Sequence, residues 1–276
     1  MAHTLAIITV VYENYTVLDD FLASFEKQTN KDFTIIVVDT SKNPRPIQSQ
    51  TLDIISIPTK NLGYAEAINV GINDAQKRSH SHFAIINSDT YVDVHFVESI
   101  YQSLTEHPHS IIGGKIYYAP GYEFHQSRYQ DSEKGKVLWY AGGHMDWNHV
   151  LTIHRGVDDI DQGQYDKTEK TEFITGCFMC YSSYIVNKVG LWDKSYFLYY
   201  EDTDFCERAK RKGISLIYNP QIILWHKNAQ SSGGSGSKLH THYQEKNRIM
   251  FAIRYAPVKT TIHLIWNYFV KKIASG

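Results

Sequence analysis

The sequence predicts an α/β fold: a mainly parallel sheet with helices on both faces, followed by an amphipathic C-terminal helix. Three observations carry this expectation. Through the first hundred residues, short β-branched apolar runs alternate with segments of 3.6-residue apolar periodicity. One such run ends on Asp39, and another on Asn87-Ser88-Asp89, as strand ends at a ligand-binding edge do. The length, 276 residues, suits one large core or one core with a small appendage.

The elements follow in order. Residues 5–11 form a buried strand. Leu18, Phe21, Leu22 and Phe25 recur at i, i+3, i+4 and i+7 and mark a helix face. Residues 33–38 are a second strand, ending at Asp39, and 52–57 a third. After the turn Asn61-Leu62-Gly63, Ala65, Ile68, Ile72 and Ala75 mark a second helix. Residues 83–86 are a fourth strand, and Val97, Ile100, Tyr101 and Leu104 a third helix. Alternation of this kind implies right-handed crossovers between parallel strands.

Regularity breaks after Gly113-Gly114. Residues 115–170 carry short strand-like pieces, several glycines and a polar close, and read as an irregular insertion or antiparallel extension. A strand over 173–181 and a helix over 183–189 follow. The acidic cluster Glu201-Asp202-Thr203-Asp204 opens a helix that stops at Gly213. Two strands are expected at 214–218 and 221–225, the second ending at His226. Residues 231–237 are a flexible Gly/Ser loop by composition. In the tail, Ile262, Ile265, Trp266, Phe269, Val270 and Ile273 share one helix face, with Lys271 and Lys272 near its end.

Composition narrows the function. Twenty-eight basic and 29 acidic residues leave a formal charge of -1, which argues against nucleic acid held by bulk electrostatics. No apolar stretch approaches the length of a membrane span. The run at 5–11 lacks a basic leader and cleavage site, so it is not read as a signal peptide. Three cysteines suit a reducing compartment. Aromatic residues make up 13% of the chain, which fits sugar-binding faces and ordinary cores alike.

Several residues could carry chemistry. Asp39 and Asp89 lie where an open parallel sheet binds ligands; one could meet a ribose or base, the other a hard divalent cation. Both could equally serve an Asx turn or helix cap. Glu201, Asp202 and Asp204 could cap a helix, with Asp204 and Arg208 pairing at i, i+4, or could include a general base. Their aromatic leader, Tyr196-Phe197-Leu198-Tyr199-Tyr200, favours a partly buried site. His226 at a strand end is more often structural than a ligand, though imidazole binds metals readily. His240 and His242 read as solvated. Cys177 and Cys180 have CxxC spacing but apolar neighbours, and read as buried thiols. GxGxxG, Walker A and GxSxG motifs are all missing, which argues against a dinucleotide dehydrogenase, a P-loop NTPase and a serine hydrolase.

Taken in order, these pieces resemble the inverting family-2 glycosyltransferases of the Rossmann-like GT-A fold, and among them bacterial rhamnosyltransferase-type members. The matching stretches are Ile8-Thr9-Val10-Val11-Tyr12, Ile36-Val37-Val38-Asp39-Thr40-Ser41, Asn61-Leu62-Gly63-Tyr64-Ala65 through Asn69-Val70-Gly71, and Ile86-Asn87-Ser88-Asp89-Thr90. They continue with Gly176-Cys177-Phe178-Met179, Val189-Gly190-Leu191-Trp192-Asp193, Phe197 through Asp204 with Arg208 behind, Trp225-His226, and Glu245-Lys246-Asn247-Arg248. Each is weak alone; the ordered set, over about residues 4–255, is specific.

The resemblance implies a GT-A catalytic domain over 1–255, with a nucleotide-binding half (1–114), an acceptor-side half (115–255) and a helical tail (256–276). It implies that Asp39 contacts the base or ribose and that Asn61, Gly63 and Asn69 lie beside the nucleotide. Asn87-Ser88-Asp89 stands where the family has its DxD motif. Asp89 and His226 would then ligate Mn2+ or Mg2+, with Asp202 as the catalytic base. Arg208 and Lys246, the latter replacing the usual Arg, would support the diphosphate or acceptor. The implied donor is dTDP-L-rhamnose, with UDP-hexoses and UDP-N-acetylhexosamines as alternatives. The implied acceptor is a polysaccharide or a lipid-linked oligosaccharide. The implied setting is cytoplasmic, at the inner face of the membrane. The tail's apolar stripe serves a membrane, the catalytic domain or a homodimer partner equally well. Two rivals stand beside this reading. A nucleotidyltransferase is disfavoured by the absence of a Gly-rich basic loop after the first strand, and a non-catalytic carbohydrate-binding or scaffold protein by the complete set Asp39, Asp89, Asp202 and His226.

Overall fold

A computed structural model describes residues 4–228 and 238–274, without the side chains of 238, 240, 269 and 271–274. The Gly/Ser stretch 231–237 and the side chains of His240, Phe269, Lys271, Lys272 and Ile273 thus lie outside the described residues. The first half runs β1 (Leu5–Val11), α1 (Val17–Glu26), β2 (Phe33–Asp39), β3 (Ile54–Pro58), α2 (Tyr64–Lys77), β4 (His82–Ile86), β5 (Thr90–Val92) and α3 (Phe96–Glu106). Then come β6 (Ser110–Tyr118), β7 (Leu138–Tyr140), β8 (Gly143–Asp146), β9 (Leu151–His154), β10 (Glu169–Lys170) and β11 (Phe178–Ser182). The chain closes with α4 (Ser183–Val189), α5 (Glu201–Arg211), β12 (Ser215–His226), α6 (Lys238–Tyr255) and α7 (Val258–Ala274).

The main sheet has the order β10-β12-β6-β11-β4-β1-β2-β3. Strands β3, β2, β1 and β4 pair in parallel, as do β6 and β12, while β11 runs antiparallel between the two groups. Both faces are covered, which is why β1 and β2 read as unbroken apolar runs. Gly71 of α2 lies so close to Ile8 and Val38 that a Cβ there would fall 2.5 Å from the Ile8 side chain. On the opposite face, Phe25 of α1 meets Phe33 and Phe96 of α3 at 5.5 and 6.0 Å, and Phe96 meets Phe178 at 5.0 Å. Side-chain alternation along β1 and β2 puts these two groups on opposite sides, so the expected helix-covered parallel sheet is present.

The structure departs from expectation in five places. The strand expected at 173–181 starts only at Phe178. The boundary expected at 114/115 falls inside β6, which continues to Tyr118. The two strands expected at 214–218 and 221–225 are one strand, β12, irregular between Asn219 and Ile223 where Pro220 cannot donate to the ladder. Residues 238–255 form α6, for which no helix was expected; its buried residues include a polar one, Asn247, beside Phe251 and Ala252, so an apolar stripe is lacking. In α7, Leu264 packs inward, while Ile262, Trp266 and Val270 are exposed. Among the described residues no helix is long and apolar enough to cross a membrane.

The 115–170 region is an antiparallel extension. Its β8–β9 hairpin packs with α6, α7 and the 196–200 turn around a second small core of Met145, Val150, Tyr196, Tyr200, Phe251, Ala252 and Leu264. This core sits apart from the one beneath the main sheet.

Candidate active site

A cavity of about 370 Å³ opens where β4 and β12 end. Its walls include Tyr64, Asn87, Asp89, Trp139, His154, Gly176, Tyr199, Tyr200, Glu201, Asp202 and His226. They come from the parallel sheet, the hairpin and the start of α5, so all three units build the site.

Strand pairing brings Asp89 and His226 together across 137 positions of sequence. Strand β5 lies antiparallel to β12 with Thr90 opposite His226, and the Lys227 N–H donates to the Asp89 carbonyl at 2.8 Å. The His226 Nε2 lies 3.3 Å from an Asp89 carboxylate oxygen, and both side chains are buried. The other ring nitrogen, Nδ1, is buried without a hydrogen-bond partner among the described residues, so the protein leaves the imidazole available. Carboxylate and imidazole donors at the cavity wall fit Mn2+ or Mg2+, the imidazole suiting Mn2+ better. Among the described residues no group of three or more His, Cys, Asp and Glu is placed to hold a metal, so substrate oxygens would complete the shell.

Asp202 sits in the first turn of α5. One carboxylate oxygen accepts the Gly176 N–H at 2.8 Å; the other accepts the Thr203 N–H at 2.7 Å and hydroxyl at 3.2 Å. A Cβ on Gly176 would fall 3.2 Å from the Asp202 Cβ, so the missing side chain is what allows this approach. Burial raises the Asp202 pKa above the usual carboxylate range, opposed by those hydrogen bonds. Burial, then the neighbouring Asp202 charge, pushes Glu201 well above that range. Of the two, Asp202 is the one whose carboxylate is held by N–H donors of Gly176 and Thr203, and its raised pKa makes it readier than usual to take a proton.

The turn leading into α5 is strained. Tyr199 and Tyr200 have φ of 68° and 71°, left-handed values that cost roughly 1–3 kcal/mol each for such side chains. Hydrogen bonds hold the turn: the Tyr200 hydroxyl donates to the Val150 carbonyl at 2.7 Å, and the Asn247 amide donates to the carbonyls of Leu198 and Tyr199. Gly63 lies against the same turn. Its φ is +104°, and a Cβ would stand 2.6 Å from the Phe197 carbonyl oxygen. The Tyr64 N–H donates to that oxygen at 2.8 Å, and the Tyr64 hydroxyl donates to Asn87 Oδ1 at 3.0 Å.

The other residues singled out in the sequence lie outside the cavity wall, apart from Cys177. Asp39 ends β2 and is buried; its carboxylate accepts from the Tyr15 hydroxyl at 2.7 Å and from the Ser41 and Arg45 N–H groups at 3.0 and 3.2 Å. Asn61 makes an Asx turn, accepting the Gly63 N–H at 3.2 Å, with its side chain exposed. Three further residues bond within the protein, away from the cavity wall. Asn69 is a brace: both ends of its amide bond the Trp192 backbone, at 2.8 and 2.9 Å. The Arg208 guanidinium is taken up by Asp204 at 2.7 Å and by the Val189 and Leu191 carbonyls at 3.0 and 2.9 Å. Lys246 lies over the Tyr243 ring at 5.9 Å and is not part of the cavity wall. Asp204 is fully buried, so its pair with Arg208 is not the surface pair the spacing allowed. Cys177 and Cys180 are buried free thiols whose pKa values burial raises, as expected.

Sequence reasoning missed His154. It lines the cavity from β9, its ring 4.5 Å from Trp139, which lies 4.6 Å from His226 on its other side. Burial lowers its pKa to about 4, so the ring is neutral. Nothing in the irregular 115–170 segment marked it; only the hairpin register does. Of the aromatic leader, Tyr199 and Tyr200 line the cavity, Tyr196 belongs to the second core, and Phe197 stacks on Tyr243 at 5.0 Å.

Comparison with known proteins shows the family and the fold. A curated L-rhamnosyltransferase of Mycobacterium tuberculosis, N-acetylglucosaminyl-diphospho-decaprenol L-rhamnosyltransferase, is 22% identical over 95% of this chain and 90% of its own. Among solved structures, GalNAc-T7 with UDP, GalNAc and Mn2+ matches 88% of the chain at a TM-score of 0.62 and 14% identity. The match spans 47% of the GalNAc-T7 chain, about half its length. The mannosyltransferase PcManGT from Pyrobaculum calidifontis, with GDP-Man and Mn2+, matches 95% of this chain and 68% of its own at 0.52 and 12% identity. At such identities these structures establish the GT-A fold alone. The model of glycosyl transferase family 2 matches residues 6–190, well over half the chain: the protein belongs to that family and is a rhamnosyltransferase-like glycosyltransferase.

Proposed function

We propose that the chain transfers L-rhamnose from dTDP-L-rhamnose to a hydroxyl of a polysaccharide or lipid-linked oligosaccharide, with inversion at the anomeric carbon. The observation that carries this is the convergence of Asp202, Asp89 and His226 on one cavity. The curated relative, named for L-rhamnosyl transfer to a diphospho-decaprenol sugar, supports the donor and the class of acceptor. The GalNAc-T7 structure with UDP supports a UDP-sugar as the second reading.

In this reading Asp202 accepts the proton of the acceptor hydroxyl as that oxygen bonds to the anomeric carbon. The bond from this carbon to the diphosphate breaks on the opposite face, and its electron pair leaves with the nucleotide. One displacement inverts the carbon, and the Asp202 carboxyl then releases its proton to solvent. The Gly176 and Thr203 N–H groups hold the carboxylate in place, and its raised pKa matches it to the base role. Asp89 and His226 would hold a divalent cation, which when bound neutralises charge on the diphosphate. Asp39, Asn61 and Gly63 are proposed to border the nucleotide. The tail, α7, is proposed to rest on an anionic membrane surface, bringing the site to a lipid-linked acceptor.

The test is a panel of dTDP- and UDP-sugars with Mn2+, reading released nucleoside diphosphate and anomeric configuration for the wild type and Asp202→Asn. Turnover of dTDP-L-rhamnose with inversion, lost in Asp202→Asn while nucleotide still binds, is expected. Turnover of only a UDP-sugar would move the reading to that donor. Transfer retained by Asp202→Asn would remove the base assignment.

A further inference from the structure

We propose that Asn247 is a positioning residue for transfer: its amide, held on α6, clamps the left-handed Tyr199–Tyr200 turn and so sets where the Asp202 carboxylate lies. The proposal rests on the reading of Asp202 as the base.

Asn247 is fully buried on a helix otherwise poor in buried residues. Its nitrogen donates to two successive carbonyls, Leu198 at 2.8 Å and Tyr199 at 2.9 Å. Only the NH2 end of an amide can donate twice, so these carbonyls fix its orientation. Its Oδ1 has no hydrogen-bond partner among the described residues, so the polar attachment of this side chain is spent on the turn. The turn needs such support. Two consecutive aromatic residues with positive φ do not stay left-handed unaided, and Tyr200 is the residue from which α5 starts. Asp202 lies two residues further on, and its bond to the Gly176 N–H depends on the direction in which the first turn of α5 leaves Tyr200.

The clamp is mounted on a rigid support. At the end of α6, the Tyr255 hydroxyl donates to the buried Asp204 at 2.7 Å, and Arg254 pairs with Asp193 at 2.6 Å. In its middle, the Arg248 Nε donates to the His149 carbonyl at 2.6 Å. One turn before Asn247, Gln244 lines the cavity. Helix α6 thus touches the site, the turn before the base and the helix bearing the base. A side chain there that merely filled space would have no need of two donors aimed at the strained carbonyls.

The experiment compares Asn247→Ala and Asn247→Ser with the wild type in the full chain, measuring kcat, KM for each substrate, affinity for the donor nucleotide by calorimetry, and thermal unfolding. The expected result for folded Asn247→Ala is a kcat lowered by up to about 100-fold, the scale of a misplaced catalytic group, with nucleotide affinity within about twofold. Asn247→Ser keeps one donor, is expected to recover part of the loss, and decides the matter if the alanine variant does not fold. A folded alanine variant with wild-type kcat and only a lower Tm, or a serine variant with wild-type kcat where the alanine variant does not fold, would overturn the positioning role and leave the base reading standing. Transfer retained by Asp202→Asn, run in parallel, would overturn the base reading and with it this proposal.

Discussion

At the scale of single residues, the site depends on two neighbouring acids that burial treats differently. Both Glu201 and Asp202 are raised by desolvation, but only Asp202 has N–H groups of Gly176 and Thr203 to favour its charged form. A base works in its deprotonated state, so kcat should rise with pH through the Asp202 titration and fall as pH drops through it. Because that pKa is raised, the acid limb should lie above the ordinary Asp value of about 3.9. A pH–kcat profile checks this; a limb at or below that value would contradict the desolvated setting. The second residue-scale prediction concerns the ligand pair. Chelation should abolish transfer and added Mn2+ should restore it, and His226→Ala should need more Mn2+ for half-maximal rate. Full activity in excess chelator would remove the role of Asp89 and His226.

At the scale of elements, fasteners matter more than the elements themselves. The Asn61-Leu62-Gly63 turn is pinned to Phe197 because Gly63 has no Cβ, and Gly63→Ala would pair a left-handed φ with a contact of 2.6 Å to a backbone oxygen. The strain alone costs roughly 1–3 kcal/mol. Chemical denaturation should show at least that loss, and kcat should fall with it, since the displaced turn leads into the base; an unchanged midpoint would show that the turn yields freely. Such fasteners also mark what was legible in the sequence. Strands β1 and β2 were readable as unbroken apolar runs, and helices α1, α2 and α3 because packing one face on the sheet leaves a 3.6-residue apolar trace. Helix α6 was not, because an amide clamp and a few buried side chains give no period. The resemblance placed Asn69 beside the nucleotide and Arg208 at the diphosphate or acceptor; the spacing showed the Asp204 partner of Arg208, but the backbone groups of Val189, Leu191 and Trp192 that these side chains also bond are more than ten residues away and leave no local trace. Asp89 and His226 were each visible as strand-end residues, but as a pair they emerged only through ordered resemblance; the β5–β12 register that joins them has no local signature.

At the scale of the whole molecule, the two cores divide the labour. The large core fixes the carboxyl edge of the sheet, and the small one carries the hairpin, α6 and α7 beside it. Helix α7 belongs to the small core through Leu264 and through the Thr261 hydroxyl, which donates to the Ala252 carbonyl at 3.0 Å. Its other side exposes Val258, Ile262, Trp266 and Val270, spaced by four residues so that each neighbours the next along one slanting ridge. The helix sequence holds Lys259, Lys271 and Lys272 and no acid. On the proposed membrane reading, the apolar ridge with its tryptophan enters the interface of an anionic bilayer: each apolar side chain inserted would contribute on the order of 1.5–3 kcal/mol, and each lysine near the surface about 1 kcal/mol. Deleting residues 257–276 would also remove Leu264 from the small core, so the sharper variant is Ile262→Ser combined with Trp266→Ser, which leaves both anchors in place. In flotation with vesicles containing anionic lipid, the wild type should rise with the vesicles at low salt, less so at high salt, and the double variant should stay with the free protein. Its kcat on a short water-soluble acceptor should be unchanged, because neither residue lines the cavity. Equal flotation of wild type and variant would remove the membrane role and leave the ridge for a second copy of the chain, which the concentration dependence of sedimentation would then reveal.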